Sequence, residues 1–264
     1  MILTKIENEY KELSKAKARS SFQNFVAYTY EGYEMVWFHK LVCAYLEALY
    51  RGDIKKLMVF IPPQHGKSEL SSRRFPAWCI GQDPSLKIGL LSYSQDLASA
   101  FNRDIQKIIE APEYGELFPK TNLAKDLANS KKMAFEGTEG SIKTVGMLGG
   151  ITGNKLDIGI IDDPFKNRLE ANSPTIRERV WQEYQDSFST RLHNNSKVLM
   201  LFTRWHEDDP AGRILDPSNS CYDAQEASEW TVIALSALKE ATPPLACAKV
   251  VQDPRGIGEA LWEN

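Results

Sequence analysis

The chain lacks the sequence features of several protein classes. Among its 264 residues, 35 Asp and Glu outnumber 32 Lys and Arg, which gives a net charge of −3. This balance argues against a protein that coats nucleic acid with its whole surface, although it allows a local basic strip. No apolar run approaches the roughly 18 residues that a membrane-spanning helix needs. The first 20 residues carry charges every few positions, so no secretory signal is predicted there.

Cysteine is also scarce. The four residues Cys43, Cys79, Cys221 and Cys247 form no C-x-x-C pair, which argues against structural zinc and a redox dithiol. We expect reduced and mostly buried thiols, as in a protein of a reducing compartment. A composition that is 42% hydrophobic and 25% charged is that of an ordinary globular protein. The length fits one large α/β domain or two small ones.

Buried strands alternate with amphipathic helices along the chain. Apolar runs predict strands over 57–61, 88–93, 133–136, 142–147, 158–161, 198–202 and 230–238. Helices are predicted to end at Gly52, to begin near Lys67, to be capped by Ser94 and to start at Ser173-Pro174. This alternation predicts an α/β fold, with a mostly parallel sheet flanked by helices.

A candidate phosphate-binding loop follows the first predicted strand and ends in Gly66-Lys67-Ser68. Such a strand–loop–helix presents backbone N–H groups to a phosphate, with Lys67 reaching the β- and γ-phosphates and Ser68 binding Mg²⁺. The loop departs from G-x-x-x-x-G-K-[ST] because Ile61 occupies the first glycine position. The prolines at 62 and 63 lack N–H donors, so the cradle must extend from about Gln64 to Ser68. The alternative is an ordinary turn with Lys67 in solvent.

Paired aspartates close a later strand. Asp162 follows the run 158–161, where a carboxylate can hold Mg²⁺ through water. Asp163 points to the other side and is the candidate to orient or deprotonate an attacking water. The alternative is a turn or helix cap ahead of Pro164.

These motifs, in this order, resemble the large subunit of the terminase of tailed phages, the motor that packages DNA into procapsids. The matching segments are 62–69, 149–153, 160–164 and 202–209, and the resemblance extends from Phe22 to the carboxyl end. The resemblance implies a P-loop NTPase fold of the additional-strand type, with ATP and Mg²⁺ at the carboxyl edge of the sheet. It also makes Thr203 a sensor of the γ-phosphate.

The resemblance further assigns nucleotide-binding positions. His39 stands where members of the family often carry an adenine-recognition glutamine. The expected nucleotide-binding residues of the loop are Gln64, His65, Gly66, Lys67, Ser68 and Glu69.

A basic residue supplied across a ring interface is also expected. Many relatives have arginine at the positions of Gln64 and Asn154-Lys155; here Lys155, Arg103 and Arg204 remain as candidates. The candidate DNA contacts are Arg73, Arg74, Lys131, Lys132 and Lys143, with solvated surface as the alternative for each.

The resemblance also predicts organisation and partners. Residues 1–52 are expected to form a helical lead-in, 53–240 the ATPase core and 241–264 the start of a linker to an absent nuclease domain. The expected partners are double-stranded DNA, a portal protein, a small terminase subunit and further copies in a ring. In isolation the chain is expected to be a monomer. Its expected place is the host cytoplasm, docked transiently on the portal, with no membrane contact.

The leading hypothesis is therefore a Mg²⁺-dependent ATPase that drives translocation of viral DNA. A helicase-like DNA-dependent ATPase is the first alternative, and the Thr203-Arg204-Trp205-His206 motif argues against it. A non-hydrolysing assembly module with a degenerate loop is the second. Turnover of ATP with and without double-stranded DNA and portal separates the three.

We predict that this chain cuts no DNA, even with Mn²⁺. Only 55 residues follow Asp209 in the 264-residue chain, and a two-metal nuclease needs several converging carboxylates on a sheet of its own. Incubation with supercoiled plasmid, followed by electrophoresis, measures this. Metal-dependent nicking that disappears on mutation of a carboxylate downstream of Asp209 would contradict the prediction.

Overall fold

The computed structural model describes residues 2–124, 126, 128–151, 153, 155–241 and 248–262, with side chains from residue 6 onward. Thr152, Asn154, Cys247 and parts of the predicted linker 241–264 lie outside the described residues. Of the other cysteines, Cys43 and Cys79 are buried thiols, whereas Cys221 is exposed. Within the described ranges, no helix combines the length and the apolar character that crossing a bilayer requires.

Eight strands form one sheet in the order β3-β4-β2-β5-β6-β1-β7-β8. They are β1 (Lys56–Phe60), β2 (Lys87–Ser92), β3 (Lys132–Ala134), β4 (Ser141–Gly146), β5 (Leu156–Asp162), β6 (Leu192–Leu201), β7 (Trp230–Ala234) and β8 (Lys249–Val250). Every neighbouring pair is parallel except β3 and β4. The predicted fold class, a mostly parallel sheet with helices, is therefore confirmed.

Helices cover the sheet and connect its strands. They are α1 (Ile2–Ser20), α2 (Phe22–Thr29), α3 (Trp37–Arg51), α4 (Phe75–Gln82), α5 (Gln95–Glu110), α6 (Pro112–Leu117), α7 (Arg168–Asn172), α8 (Pro174–Gln182), α9 (Pro210–Leu215) and α10 (Ala224–Ser228). The predicted signals are confirmed: Gly52 ends α3 in a left-handed conformation, and the hydroxyls of Ser94 and Ser173 cap α5 and α8. Helical turns run from Lys67 into α4, with a π-helical stretch over Glu69–Arg74.

Two predicted strand bounds are wrong. β6 begins at Leu192 rather than 198. Leu192 pairs with Leu156 of β5, the register then shifts, and pairing resumes at Lys197, while the polar residues between them carry no apolar signal. The strand predicted to reach 238 ends at Ala234.

The core consists of two clusters, one on each face of the sheet. Along β1, Leu57 and Val59 join one cluster, whereas Met58 and Phe60 join the other. This alternation follows from the period of two in a strand, and it explains why the run is apolar throughout. The helices α2 and α3 contribute to the same cluster as Leu57, so residues of the predicted lead-in pack directly on the sheet. The domain boundary at residue 52 stays a prediction.

We predict that Gly159→Ala destabilises the fold by about 1–3 kcal/mol, because overpacking a filled core forces side chains and backbone apart. Gly159 lies in β5 between β2 and β6, and an added Cβ would stand 2.4 Å from Cζ of the buried Phe188. Urea unfolding measures the change. Gly115→Ala is the control, since no atom lies within 4 Å of its added Cβ. Equal stability of the two variants would contradict the prediction.

Candidate functional site

Three parallel strands end side by side at the carboxyl edge of the sheet. β6 pairs with β5 on one side and with β1 on the other. The predicted phosphate loop follows β1, the aspartate pair closes β5, and Thr203 follows β6. Segments separated by up to about 140 residues therefore meet at one edge, the place where ligands bind in open α/β sheets.

Lys67 is the buried centre of this edge. Its side chain is 7% exposed, and its ammonium nitrogen lies 3.2 Å from Oδ2 of Asp163. The same nitrogen donates a hydrogen bond of 3.1 Å to Oγ1 of Thr203. Lys67 therefore does not lie in solvent, as the alternative of an ordinary turn expected, and phosphate binding by the loop stays a prediction.

Asp162 is buried behind the loop and bound by two serine hydroxyls. Ser68 Oγ donates to its Oδ1 at 3.3 Å, and Ser72 Oγ donates to its Oδ2 at 2.5 Å. The two serines are four residues apart and so lie on one face of the helical turns after Lys67. Burial first, and the neighbouring Asp163 second, raise the pKa of Asp162 to about 7. Ser72 was not predicted, although its spacing from Ser68 was a usable signal.

Asp163 has an unusual backbone conformation. Its φ is +47°, in the left-handed region that non-glycine residues seldom adopt. The strained residue is held by its backbone, which donates to the carbonyl of Leu201 at 2.9 Å and accepts from the amide of Tyr93 at 3.0 Å. Its Oδ1 accepts from the amide of Thr203 at 3.1 Å. With 29% of its side chain exposed, Asp163 is the carboxylate of the pair that solvent can reach.

The loop itself requires glycine at 66. Gly66 has a φ of +73°, and a Cβ there would meet the Tyr33 hydroxyl at 2.8 Å and His39 Nε2 at 2.9 Å. Gln64 also has a positive φ, of +65°. Two left-handed residues, two positions apart, turn the chain tightly before Lys67, as a backbone cradle for an anion does.

His39 lies directly beneath the loop. Its Nδ1 is 3.0 Å from the carbonyl oxygen of Glu34, and its Nε2 is 3.1 Å from that of His65. A carbonyl only accepts, so a neutral imidazole satisfies one of the two and a protonated one satisfies both. Burial lowers the pKa of His39. Because both nitrogens face the chain's own carbonyls, adenine could bind here only by displacing one of them. Adenine recognition by His39 stays a prediction.

The candidate DNA contacts differ in whether they form ion pairs and in how exposed they are. Arg73 pairs with Asp104 at 2.8 Å, and Arg74 pairs with Glu69 at 2.9 Å. Both arginines are partly buried and engaged in ion pairs within the chain, and their contact with DNA stays a prediction. Glu69 is likewise turned toward Arg74, whereas Lys131 and Lys132 are exposed.

The three candidates for the basic finger also separate. Arg204 binds Asp209 and the carbonyl of Glu207, within its own chain. Asp209 in turn caps α9 by accepting from the amide of Gly212 at 2.8 Å. Lys155 and Arg103 are exposed. The choice among the three stays a prediction, with Arg204 the least available.

We predict that Gly66→Ala weakens ATP binding at least tenfold. The added Cβ pushes against Tyr33 and His39 and shifts the peptide that the loop would present to a phosphate. Gly32→Ala is the matched control: its φ is +77°, but nothing lies within 4 Å of the added Cβ. Both variants carry a similar backbone strain of roughly 1–2 kcal/mol, so only the contact differs. Isothermal titration with ATP measures binding, and equal affinities in the two variants would contradict the prediction.

A family model places these motifs among known proteins. The model described as terminase large subunit, T4-like-virus type, N-terminal, matches residues 58–246. That range contains the phosphate loop from His65 to Ser68, both aspartates and Thr203. The large terminase subunit of Enterobacteria phage T3 is 31% identical over 144 residues, which are 53% of this chain and 24% of that protein. The chain thus covers about a quarter of that relative.

Solved structures are similar in fold. The large terminase of bacteriophage HK97 superposes with a TM-score of 0.50 at 14% identity, over 74% of this chain and 39% of that one. The large terminase ATPase domain of Thermus phage P74-26 gives 0.42 at 16% identity, over 68% and 67%. The HK97 likeness supports the P-loop fold of the additional-strand type.

Proposed function

The chain belongs to the family of terminase large subunits of the T4-like-virus type, and on that premise we propose that it is a Mg²⁺-dependent ATPase that drives double-stranded DNA into a procapsid. One observation carries the proposal. The buried ammonium of Lys67 lies between Asp163 and Thr203, where three parallel strands end, and Asp162 binds the Ser68 hydroxyl beside it.

The residues present fit ATP and Mg²⁺. Gly66 is left-handed, and a Cβ there would meet Tyr33 and His39, so glycine permits the tight turn that can present backbone N–H groups to a phosphate. Ser68 and Asp162 provide a hydroxyl and a carboxylate 3.3 Å apart, the hard oxygen ligands that Mg²⁺ prefers. When bound, Mg²⁺ neutralises charge on the phosphate oxygens.

Each residue of the site then has a distinct role. When ATP binds, the ammonium of Lys67 leaves Asp163 and pairs with the β- and γ-phosphates, because the phosphates carry more negative charge than a carboxylate. Asp163, freed from that ion pair, orients the attacking water and takes up its proton. The hydroxyl of Thr203, which accepts from Lys67, lies next to this exchange and responds to loss of the γ-phosphate. Asp162 and Ser68 hold the metal, and amides from Gln64 to Ser68 donate to the phosphates.

We also propose the translocation activity, the partners and the location that are expected of a terminase large subunit. They comprise double-stranded DNA, a portal protein, a small terminase subunit and a ring of copies in the host cytoplasm. A basic finger from a neighbouring copy, Lys155 or Arg103 in preference to Arg204, would complete the site. Such a finger can raise turnover by about 10³-fold or more, so the isolated monomer hydrolyses ATP slowly. The proposed boundaries remain 1–52, 53–240 and 241–264.

We predict that Asp163→Asn retains ATP binding and loses turnover by about 10²–10⁴-fold, as for removal of a general base. Lys67→Ala loses both, because the phosphates lose a buried cation. Asp162→Asn lowers ATP affinity and Mg²⁺ dependence together. Phosphate release and isothermal titration measure the two properties. Asp157→Asn is the control. Asp157 lies in β5, the strand that ends at Asp162, but at the other end of that strand, where its Oδ1 lies 3.1 Å from Nε2 of His193.

Normal turnover by Asp163→Asn would contradict this assignment. Glu69, which follows Ser68, would then be tested next. Glu139 pairs with Lys87, the first residue of β2, and so lies at the opposite edge of the sheet from the site. Strong stimulation by DNA without portal would favour the helicase-like alternative. ATP binding without any turnover, with or without DNA and portal, would favour the assembly module.

A further inference from the structure

Trp262 brings the carboxyl-terminal segment, residues 248–262, to the phosphate loop. Its indole lies 5.8 Å from the ring of His65, 5.4 Å from that of His39 and 5.7 Å from that of Phe38, centroid to centroid. Phe38 and His39 belong to α3, and His65 belongs to the loop. All three contacts are edge-to-face, the arrangement that aromatic pairs favour. Trp262 therefore joins parts of the chain that are about 200 residues apart.

The segment that carries Trp262 is itself fixed to the sheet. The amide of Val251 donates to the carbonyl of Val232 in β7, and that of Leu261 donates to the carbonyl of Ala237, both at 2.8 Å. Leu261 is 3% exposed within the core. The buried guanidinium of Arg255 pairs with Asp253, donates to the carbonyl of Ser236 after β7 and donates to the carbonyl of Glu259 in its own segment. Trp262 is thus held in place by a folded loop.

The rings beneath the loop act on one peptide bond. His39 Nε2 contacts the carbonyl oxygen of His65 at 3.1 Å. That carbonyl and the N–H of Gly66 belong to the same planar peptide unit, so the direction of one fixes the direction of the other. A shift of the His39 or His65 ring therefore turns an N–H that the loop would present to a phosphate. Trp262 contacts both rings.

We propose that Trp262 is a positioning residue of the phosphate loop. Through its contacts with the rings beneath the loop, Trp262 couples docking of the carboxyl-terminal segment to nucleotide affinity. The identity of the ligand rests on the proposed function. The effect of Trp262 on the His65–Gly66 peptide, which we call the clamp, does not. Coupling between two sites is reciprocal. Bound nucleotide must therefore stabilise the docked segment by the same factor by which docking tightens nucleotide binding.

Hydrogen exchange of the nucleotide-free protein tests the clamp directly. Trp262→Leu is expected to speed exchange of the Gly66 and Lys67 amides, and Trp262→Phe, which keeps a ring, is expected to restore it. Trp78→Leu is the matched control. It removes an indole from the same core cluster, but Trp78 packs on Phe22 and Tyr50 rather than on the loop.

Nucleotide titration tests the coupling. We expect Trp262→Leu to raise the Kd for ADP about tenfold, as loss of aromatic contacts with two loop-supporting rings warrants. Trp262→Phe should stay within about threefold and Trp78→Leu should be unchanged. In the unaltered chain, which needs no variant to fold, saturating ADP should slow exchange of the Gly258 and Leu261 amides. Lys67→Ala should abolish that effect at the same ADP concentration.

The outcomes separate this inference from the proposed function. Equal loop exchange in Trp262→Leu and Trp78→Leu, or an unchanged Kd in Trp262→Leu, overturns the inference while ATP binding stands. If the unaltered chain binds no nucleotide, the proposed function and the coupling both fail. Faster loop exchange in Trp262→Leu then still supports the clamp. Exchange at Leu261 that ignores ADP in a chain that binds it overturns the coupling.

Discussion

The ion pair between Lys67 and Asp163 is the interaction on which the rest of the site depends. The side chain of Lys67 is 7% exposed, so its charge must be paired, since an unpaired buried charge costs several kcal/mol. Asp163 can pair with it because a left-handed backbone turns its carboxylate toward the loop, and bonds to Leu201 and Tyr93 hold that conformation. The partner strands β6 and β2 therefore do more than fill the sheet. They aim the carboxylate that neutralises Lys67.

The adjacent aspartates show how environment divides two identical side chains. Asp162 is enclosed by serine hydroxyls, and its burial raises its pKa, because a buried carboxylate loses its hydration. Asp163 is partly exposed and faces a cation. A buried carboxylate beside a hydroxyl suits a metal, whereas an accessible one suits a water molecule. Both environments occur at one point because Asp162 is the last residue of β5, whereas Asp163 follows it in a left-handed conformation and meets different partners.

The underside of the loop is packed closely against aromatic side chains. His39 and Tyr33 occupy the space that a side chain at Gly66 would need. The imidazole of His39 in turn contacts the carbonyl of Glu34, which precedes α3, and the carbonyl of His65 in the loop. The indole of Trp262 then closes the cluster from the carboxyl-terminal segment. The proposed nucleotide contacts on the upper side and the docked segment on the lower side would therefore share one peptide unit. This shared element is a physical basis for coupling, since both events bias the same backbone conformation.

The sequence by itself determined the strands with continuous apolar runs, the caps at Ser94 and Ser173, and the residues of the loop and the aspartate pair. These features are local: burial on both faces, a hydroxyl near a helix start and a glycine turn leave their mark within a few residues. Only the tertiary structure decided that Arg73 and Arg74 form internal ion pairs, that β6 starts at Leu192, and that Ser72 and Trp262 join the site. Each of these depends on a partner distant in the chain, and no local period records which distant residue a side chain will meet.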